Sequence, residues 1–333
     1  MIGYLKDVKV QGIAATVPHD YLDNEKYAES IGEKRIKRQI KLTGIKHRHV
    51  VKNGQRTSDL VSVAGERLLK HLNWKKDEIS VLIFVTQSPD IKAPSTAMLI
   101  QKKMGLGKEC IAFDVNLGCS GFTSGAIIAA GLLRNTRGKG LILMGDCQHY
   151  NQGEEFLPDA LLFGDGGAAI AMEYFCDSNL VYAQKTDGTR YDSLYSPLEG
   201  GRKMDGNAIL LFSLNEVTES IVELMESSYM KEIVPDYFVL HQAQKVIMDG
   251  VASNANLPRE QFLFSYEEYG NTSSASIPLT LCANIGKICK EKENSITVFS
   301  CGYGIGLAWS SLVFQIDINN ILPVIESDKV YEL

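Results

Sequence analysis

Three polar residues of this chain have types suited to nucleophilic catalysis, although they lie far apart in the sequence. Cys119 follows the apolar run 110–115 and precedes a helix-like run at 125–133. A thiol at the start of a helix meets backbone N–H groups without intrahelical partners and the positive end of the helix dipole, and both favour the thiolate. Cys119 is therefore a candidate nucleophile. A single Cys after a strand is, however, more often a small buried hydrophobic residue.

Two downstream residues strengthen the case for Cys119. His241 follows the strand-like run 237–240, and Asn271 stands in Gly270-Asn271-Thr272-Ser273, ahead of a helix-like run. Alone, the first is typical of a hydrogen-bonded structural His and the second of a turn with an N-cap. Together, all three residues fall at strand ends or loops of an α/β repeat, where clefts form in such sheets. The combination predicts one catalytic site.

Alternating strand-like and helix-like runs must position these side chains. The strand-like runs are 8–14, 81–86, 110–115, 141–144, 237–240 and 295–300, and the helix-like runs are 60–72, 96–104, 125–133, 215–230, 245–255 and 277–290. Such alternation favours an α/β fold with a largely parallel or mixed sheet. Gly-rich turns that run into apolar strands, at 163–172 and 301–309, end the two halves alike, so we expect an internal duplication with units 1–175 and 176–333. No Pro/Ser-rich linker separates the units, which predicts one body with a shared core.

Composition limits the class of protein. The 333 residues are 45% hydrophobic and 22% charged, which is typical of an ordinary soluble globular protein. A net charge of -6 argues against a dedicated nucleic-acid binder. Seven Cys without a CxxC pair and the absence of an apolar leader predict reduced thiols in the cytoplasm and no metal site. The apolar runs fall short of the roughly 20 residues that span a bilayer.

Neither Gly-rich turn fits a nucleotide-binding pattern. Residues 164–167 and 302–306 lack the GxxxxGK[ST] signature, and neither opens a clear βαβ dinucleotide unit. Tight turns with close backbone approach explain these glycines better. A backbone N–H group on the 304–306 turn would also be able to stabilise an oxyanion.

These motifs resemble the β-ketoacyl-acyl-carrier-protein synthase III family of the thiolase-like superfamily. The resemblance runs through nearly the whole chain in order and spacing. It rests on residues 42–49, which are similar to the family's TGI-x-x-R segment, and on Cys119, 163–166, 241–243, 270–273 and 304–309. It implies a duplicated five-layer α-β-α-β-α sandwich, usually a homodimer, with the nucleophile at the bottom of a tunnel.

The resemblance also implies roles for single residues. Cys119 would attack an acyl thioester and hold the acyl group, and hydrogen bonds from His241 and Asn271 would stabilise the enolate formed when a malonyl thioester loses carbon dioxide. Backbone N–H groups of Cys119 and Ile305 would form an oxyanion hole worth roughly 10²–10³ in rate per donor, and Gly304 and Gly306 of the same turn would bind the substrate. We therefore predict a decarboxylative Claisen condensing enzyme of fatty-acid or related lipid metabolism. It would use acyl-CoA or acyl-carrier-protein thioesters and no cofactor.

Three positions near the predicted substrate entrance depart from the family's pattern. Initiating members carry a Trp that stacks on the adenine of CoA and an Arg one turn later, where this chain has Arg38 and Leu42. The Arg that meets the acidic carrier protein is replaced by Val246. Lys245 or the cationic run 34–48 is the predicted substitute, although a charge run is more often a solvated helix face.

Two further departures concern the acyl group. Some members limit the acyl pocket with a bulky Phe ahead of a Pro, where this chain has Ala93, and this predicts a substrate longer than acetyl. The related hydroxymethylglutaryl-CoA synthases use a Glu as general acid and base where this chain has Gln87. An amide cannot transfer a proton in that way, so we do not expect that reaction.

Two other functions compete with condensation. An acyltransferase of the same fold would pass the acyl group from Cys119 to a hydroxyl or amine, with His241 as general base. A catalytically idle subunit would only shape a heterodimer. Asn271 favours condensation, because simple acyl transfer has less need of a second enolate-stabilising donor, and retention of all three site residues argues against an idle subunit.

Overall fold

The computed structural model describes residues 1–52, 54–147, 161–197 and 201–332. The strands in these ranges are β1 (Ile2–Val17), β2 (Tyr21–Asp23), β3 (His47–His49), β4 (Ile79–Val85), β5 (Ile111–Val115), β6 (Lys139–Asp146), β7 (Gly166–Thr186), β8 (Leu194–Tyr195), β9 (Lys203–Met204), β10 (Tyr237–Leu240), β11 (Ser295–Gly304), β12 (Ala308–Asp317) and β13 (Ile325–Glu326). The helices are α1 (Ala28–Ile31), α2 (Glu33–Thr43), α3 (Thr57–His71), α4 (Thr96–Met104), α5 (Gly121–Thr136), α6 (Gly206–Phe212), α7 (Thr218–Met225), α8 (Lys245–Asn254), α9 (Tyr266–Tyr269), α10 (Ser276–Ala283) and α11 (Ile285–Glu291).

The long strand β7 joins two sheets into one: the first sheet contains β6, β4 and β5, and the second contains β12, β11 and β10. The strand order is β10-β11-β12-β7-β6-β4-β5, with β1 also paired to β7. The first residues of β7 pair with β6, and its last residues pair with β12. Strand β4 is parallel to β5 and β6, and β10 is parallel to β11. The predicted boundary between units 1–175 and 176–333 falls inside β7, and the division into two units stays a prediction.

Three apolar clusters separate the layers. The central cluster combines α5 and α10 with both sheets, and its members include Phe122, Leu279 and Val239. One outer cluster packs α3 and α4 against the first sheet, and the other packs α7 and α8 against the second. Helices, sheet, helices, sheet and helices therefore follow one another, which confirms the predicted five-layer sandwich.

The composition of the central helices explains their place. Helix α10 carries no charged residue and buries every position from Ser276 to Cys282. Helix α5 has a single charged residue, Arg134, near its C-terminus. A helix that is apolar on all sides must be covered on all sides, whereas the strongly charged α2 is left on the surface. Among the helices of the described ranges, none combines the length and the apolar character needed to cross a membrane.

Most predicted elements are present, with three corrections. The helix predicted at 215–230 begins earlier, as α6, and continues through a π-helical segment (Ser213–Val217) into α7. The helix predicted at 277–290 is broken at Asn284, whose side chain donates hydrogen bonds to the carbonyls of Thr280 and Phe264. Residues 301–304, predicted as a turn, extend β11, and the turn begins only at Ile305.

Candidate active site

Cys119 lies in the elbow between β5 and α5, one residue before the N-cap Ser120. Its side chain is buried, with the residue 9% exposed. Gly302 and Gly304 of β11, in the second half of the chain, pack against Cys119. A Cβ atom at Gly302 would lie 2.5 Å from the carbonyl oxygen of Cys119, and one at Gly304 would lie 3.2 Å from its Sγ atom. Only glycines permit the two halves to meet this closely at the thiol.

His241 follows β10 and is 2% exposed. Its backbone N–H donates to the carbonyl of Cys301 at 2.8 Å, which continues the pairing of β10 with β11 past the end of the strand. Its Nδ1 atom lies 2.7 Å from the hydroxyl of Ser276, the first residue of α10. Because Nδ1 is engaged by this hydroxyl, Nε2 is the ring nitrogen left to act on a substrate.

Asn271 is held by backbone bonds on both sides. Its N–H donates to the carbonyl of Leu162 at 2.8 Å, and its carbonyl accepts from Gly164 at 3.1 Å. The side-chain Oδ1 atom accepts from the N–H of Ser273 at 2.9 Å. This bond fixes the orientation of the amide, so that Nδ2, a donor, is the end presented to the pocket.

Cys119, His241 and Asn271 line one pocket. Its empty space is about 620 Å³, measured out to the open solvent. The remaining lining residues combine apolar and polar side chains: Gln87, Leu162, Phe163, Leu194, Arg202, Met204, Ile209, Ala243, Gln244, Ile247, Ser273, Tyr303, Gly304 and Ile305. The structure thus brings together the three predicted catalytic residues with Gly304 and Ile305 of the predicted oxyanion turn.

Burial controls the charge states of Cys119 and His241. Burial raises the pKa of Cys119 to about 12, against a smaller opposing effect of the Arg202 charge. Burial likewise lowers the pKa of His241 to about 3. The resting state therefore holds a thiol rather than the expected thiolate, because desolvation is the largest effect on this group. At neutral pH the site holds a thiol and a neutral imidazole.

The predicted binding residues Ala93 and Lys245 lie outside this pocket. Both are exposed, and Lys245 is paired with Asp249. Lys245 stands beside the end of α2, since a Cβ atom at Gly44 would lie 3.0 Å from the Cβ atom of Lys245. Gly306 is half-buried on the turn next to Ile305.

Arg48, the last cation of the run 34–48, is not available to a partner. It is buried, and it donates to the side chain of Asn24 and to the carbonyl of Phe163. Arg48 thus holds Phe163, whose neighbour Gly164 donates to the carbonyl of Asn271. The exposed cations of this run are Lys46, which is paired with Glu267, and five residues of α2: Lys34, Arg35, Lys37, Arg38 and Lys41.

Sequence reasoning missed three residues around the site. Ser276, which orients His241, lies three residues after Gly270-Asn271-Thr272-Ser273 and could have been found as a hydroxyl at the start of a helix. Asp146, at the end of β6, is fully buried and accepts hydrogen bonds from the Thr86 hydroxyl and the Gln87 N–H. Arg202 is far from the other site residues in sequence, and no local pattern marks it.

Gly304→Ala should block the nucleophile. Gly304 has φ +154°, which disfavours a side chain, and the added Cβ would press on Cys119. We expect the free energy of unfolding to fall by about 1–3 kcal/mol. We expect the rate of Cys119 acylation to fall by more than this loss of stability alone would cause. The measurement is intact-protein mass after exposure to an acyl thioester. Gly188→Ala is the control, because nothing lies within 4 Å of its Cβ position. Wild-type acylation of Gly304→Ala would contradict the placement of this glycine over the thiol.

His241→Gln should make stability less sensitive to acid. Below pH 6.5 the His241 imidazole binds a proton in the unfolded state. In the folded state its pKa is about 3, so it stays neutral in this pH range. Stability is therefore lost as the pH falls through this window, by about 2 kcal/mol between pH 7 and pH 5. Urea unfolding at the two pH values measures the difference, with His71→Gln, an exposed His, as control. An unchanged pH dependence in His241→Gln would show that the imidazole is not buried neutral.

The chain is similar to known proteins over most of its length. A family model for the C-terminal part of 3-oxoacyl-[acyl-carrier-protein] synthase III matches residues 225–316, which include His241 and Asn271. The β-ketoacyl-[acyl-carrier-protein] synthase III of Streptococcus pyogenes serotype M5 (strain Manfredo) is 33% identical over 327 residues, covering 92% of this chain and 99% of the relative.

Solved structures show the same architecture over the whole chain. A 3-oxoacyl-(acyl-carrier protein) synthase from Burkholderia xenovorans LB400 matches with a TM-score of 0.92 at 28% identity, covering 98% of this chain and 99% of the other. The 3-oxoacyl-[acyl-carrier-protein] synthase III from Aquifex aeolicus VF5 matches with a TM-score of 0.82 at 25% identity, covering 92% and 99%. In sequence, in fold and in the order of its site motifs, the chain belongs to the β-ketoacyl-acyl-carrier-protein synthase III family.

Proposed function

We propose that this protein condenses an acyl group carried on Cys119 with a malonyl thioester, in a decarboxylative Claisen reaction. The observation that carries the proposal is the convergence of a buried thiol, a neutral His241 and the Nδ2 end of Asn271 on one pocket. A nucleophile and two neutral donors are what the two halves of this reaction need. The chemistry requires no cofactor, because both substrates are already activated as thioesters.

In the first half, the Sγ atom of Cys119 attacks the thioester carbonyl. The tetrahedral oxyanion is held by backbone N–H groups of Cys119 and Ile305, the proposed oxyanion hole. Collapse expels the donor thiolate, which takes up the proton that the Cys119 thiol gives up. The products are acyl-Cys119 and a free thiol. Since the thiol has a pKa near 12, proton removal must accompany attack rather than precede it.

In the second half, the malonyl thioester loses carbon dioxide and leaves an enolate. His241 Nε2 and Asn271 Nδ2 would donate hydrogen bonds to the enolate oxygen. A pKa near 3 suits His241 to this role, because a neutral imidazole donates a hydrogen bond without protonating the enolate. The enolate carbon then attacks the acyl-Cys119 carbonyl, and the Cys119 thiolate leaves and takes up one proton from the solvent. The β-ketoacyl thioester departs.

We propose that the acyl donor approaches over α2 and the start of α8. Helix α2 carries exposed cations and contacts α8, and Lys245 lies beside Gly44 at the end of α2, so this surface suits the phosphate of CoA or an acidic carrier protein. Strand β5 forms the edge of the sheet, and Ile111 on it is 44% exposed. A second copy covering this edge would form the proposed homodimer. Ala93, exposed in one chain, would then face the acyl pocket of its partner.

The competing function is transfer of the acyl group to a hydroxyl or amine. That reaction needs His241 as general base, and a pKa near 3 makes it a weak one. The test supplies an acyl-CoA or acyl-carrier donor with a malonyl thioester labelled in its free carboxyl group. We expect labelled carbon dioxide and a β-ketoacyl product by mass spectrometry. Transfer of the acyl group without release of carbon dioxide would favour the competing function. If neither condensation nor acyl transfer occurs, both proposed functions are contradicted.

A further inference from the structure

Asp146, at the end of β6, is a fully buried acid without a neighbouring cation to neutralise it among the residues that the structure describes. Its Oδ1 atom accepts hydrogen bonds from the N–H of Gln87 at 2.6 Å and from the hydroxyls of Thr86 and Ser88 at 3.0 and 3.3 Å. Its Oδ2 atom has no partner of regular hydrogen-bond geometry in the described ranges. A buried carboxylate with one oxygen left over costs free energy, which points to a function for this group.

The segment 273–275 packs against the two elements that flank the buried acid and the nucleophile. It lies against β6 and against α5, and a Cβ atom at Gly121 would lie 3.3 Å from the Cβ atom of Ser274. Ser273 is 2% exposed and lines the same pocket as Cys119. Ser273 therefore belongs to the wall of the pocket on the side of β6.

The Ser273 hydroxyl is close to both Cys119 and Asp146. Burial raises the pKa of Cys119 to about 12 and also raises the pKa of Asp146, and a hydrogen bond from the Ser273 side chain opposes the effect of burial on each group. The Asp146 charge itself acts on the pKa of Cys119, so the carboxylate is near the thiol. In a resting site such bonds are often long, and they tighten when substrate is bound.

The proposed acylation needs a base for the proton of the thiol. Cys119 must lose this proton as its Sγ atom attacks, because its pKa is about 12. His241, with a pKa of about 3, is a weak base. Burial raises the pKa of Asp146 from its ordinary value, which makes its carboxylate the stronger base of the two.

We propose that Asp146 takes up the Cys119 proton through the Ser273 hydroxyl while the thiol attacks the acyl donor. The inference rests on the proposed function, since it completes the acylation step of that reaction. Ser273 touches the reacting thiol, whereas Asp146 acts through Ser273.

The proton and the electron pairs balance over the step. The thiol proton passes to Ser273 Oγ as the hydroxyl proton of Ser273 passes to Asp146 Oδ2. The Sγ atom forms a bond to the carbonyl carbon, whose π electron pair moves to the oxygen. On collapse, the bond from this carbon to the donor sulfur breaks with its electron pair on that sulfur. The proton then returns from Asp146 through Ser273 to the donor sulfur, and both side chains regain their starting state.

The rate of this step depends on the charge of Asp146, because a neutral carboxyl cannot take up the proton. Burial raises the pKa values of the neighbouring Cys119 and Cys147 thiols, so both stay neutral at pH 7. His241 has a pKa of about 3, and Arg202, which also acts on Cys119, stays protonated. Among these groups only Asp146 changes charge in mildly acidic solution, so acylation should slow as the pH falls through its raised pKa.

The test follows acylation of Cys119 in a single turnover by intact-protein mass spectrometry, from roughly pH 4 to pH 8. The donor is the acyl-CoA that acylates the wild-type full chain fastest in a panel from acetyl-CoA to octanoyl-CoA. Asp146→Asn keeps an oxygen that accepts hydrogen bonds but removes the base. We expect it to be acylated about 10²-fold or more slowly than wild type, at a rate that no longer falls with pH. Asp114→Asn is the matched control, because burial also raises the pKa of Asp114 and this residue lies outside the pocket lining.

Ser273→Ala removes the relay and leaves the carboxylate in place. We expect it to be slowed as much as Asp146→Asn, and the double variant to be no slower than either single variant, because the two groups act as a unit. Ser274→Ala is the control, since this neighbouring hydroxyl donates to the carbonyl of Val85 and lies outside the pocket lining. It should be acylated like wild type.

Other outcomes decide against the inference. If Asp146→Asn is slow but keeps the wild-type pH profile, Asp146 only holds the segment 86–88 in place. If Ser273→Ala is acylated like wild type, the proton does not pass through this hydroxyl. A wild-type rate that does not fall towards low pH overturns the inference without any variant, even if Asp146→Asn fails to fold. If no donor acylates wild-type Cys119, the proposed function itself fails.

Discussion

Cys119→Ala should gain no acyl mass from any thioester donor, whereas wild type gains one acyl group. The expected loss of condensation is on the order of 10⁴-fold or more, because removing the nucleophile removes the covalent intermediate altogether. No nearby thiol can substitute, since the pocket lining contains Cys119 alone among the cysteines of the described residues. Intact-protein mass spectrometry over a panel of acyl-CoA and acyl-carrier donors measures the adduct.

Cys301→Ala is the matched control for this experiment. Cys301 is buried in β11, and burial raises its pKa to about 12, as for Cys119. It differs in lying outside the pocket lining. We therefore expect Cys301→Ala to be acylated like wild type. An adduct that persists in Cys119→Ala and disappears in Cys301→Ala would contradict the identity of the nucleophile.

Asn271→Ala should separate the two halves of the reaction. The variant loses the Nδ2 donor to the enolate oxygen, and loss of one such donor is worth roughly 10²–10³ in rate. Malonyl decarboxylation should fall by that factor, while acylation of Cys119 stays largely intact. Release of labelled carbon dioxide and adduct formation, measured on the same preparation, report the two steps.

Asn271→Asp tests whether the donor or the fold is responsible. An Asp keeps the shape of the residue and an oxygen to accept the Ser273 N–H bond, but it has no Nδ2 group. We expect it to be as slow in decarboxylation as Asn271→Ala and still competent in acylation. Equal loss of both steps in the two variants would contradict the division of roles between Cys119 and Asn271.

The succession of elements could be predicted from local pattern. The bounds of α4 and β10 agree with the predicted 96–104 and 237–240, because each is a run of one periodicity between clear breaks. The start of α6 was missed because it depends on a side-chain cap: the carboxylate of Asp205 accepts from the N–H groups of Asn207 and Ala208. The break at Asn284 likewise depends on a bond to Phe264, twenty residues away.

The sequence by itself determined the family, through motifs whose residue types, order and spacing are local properties of the chain, and the resemblance to that family implied the five-layer architecture. The residue types of Cys119, His241 and Asn271 and their places at strand ends or in loops predicted that they share one site. Only the tertiary structure decided the charge state of Cys119 and His241 and the polar lining that Arg202 and Gln87 contribute. Burial and the approach of distant side chains depend on how the two halves pack together. Desolvation at that junction, which no local pattern contains, is the largest effect on the pKa of Cys119 and keeps it a thiol.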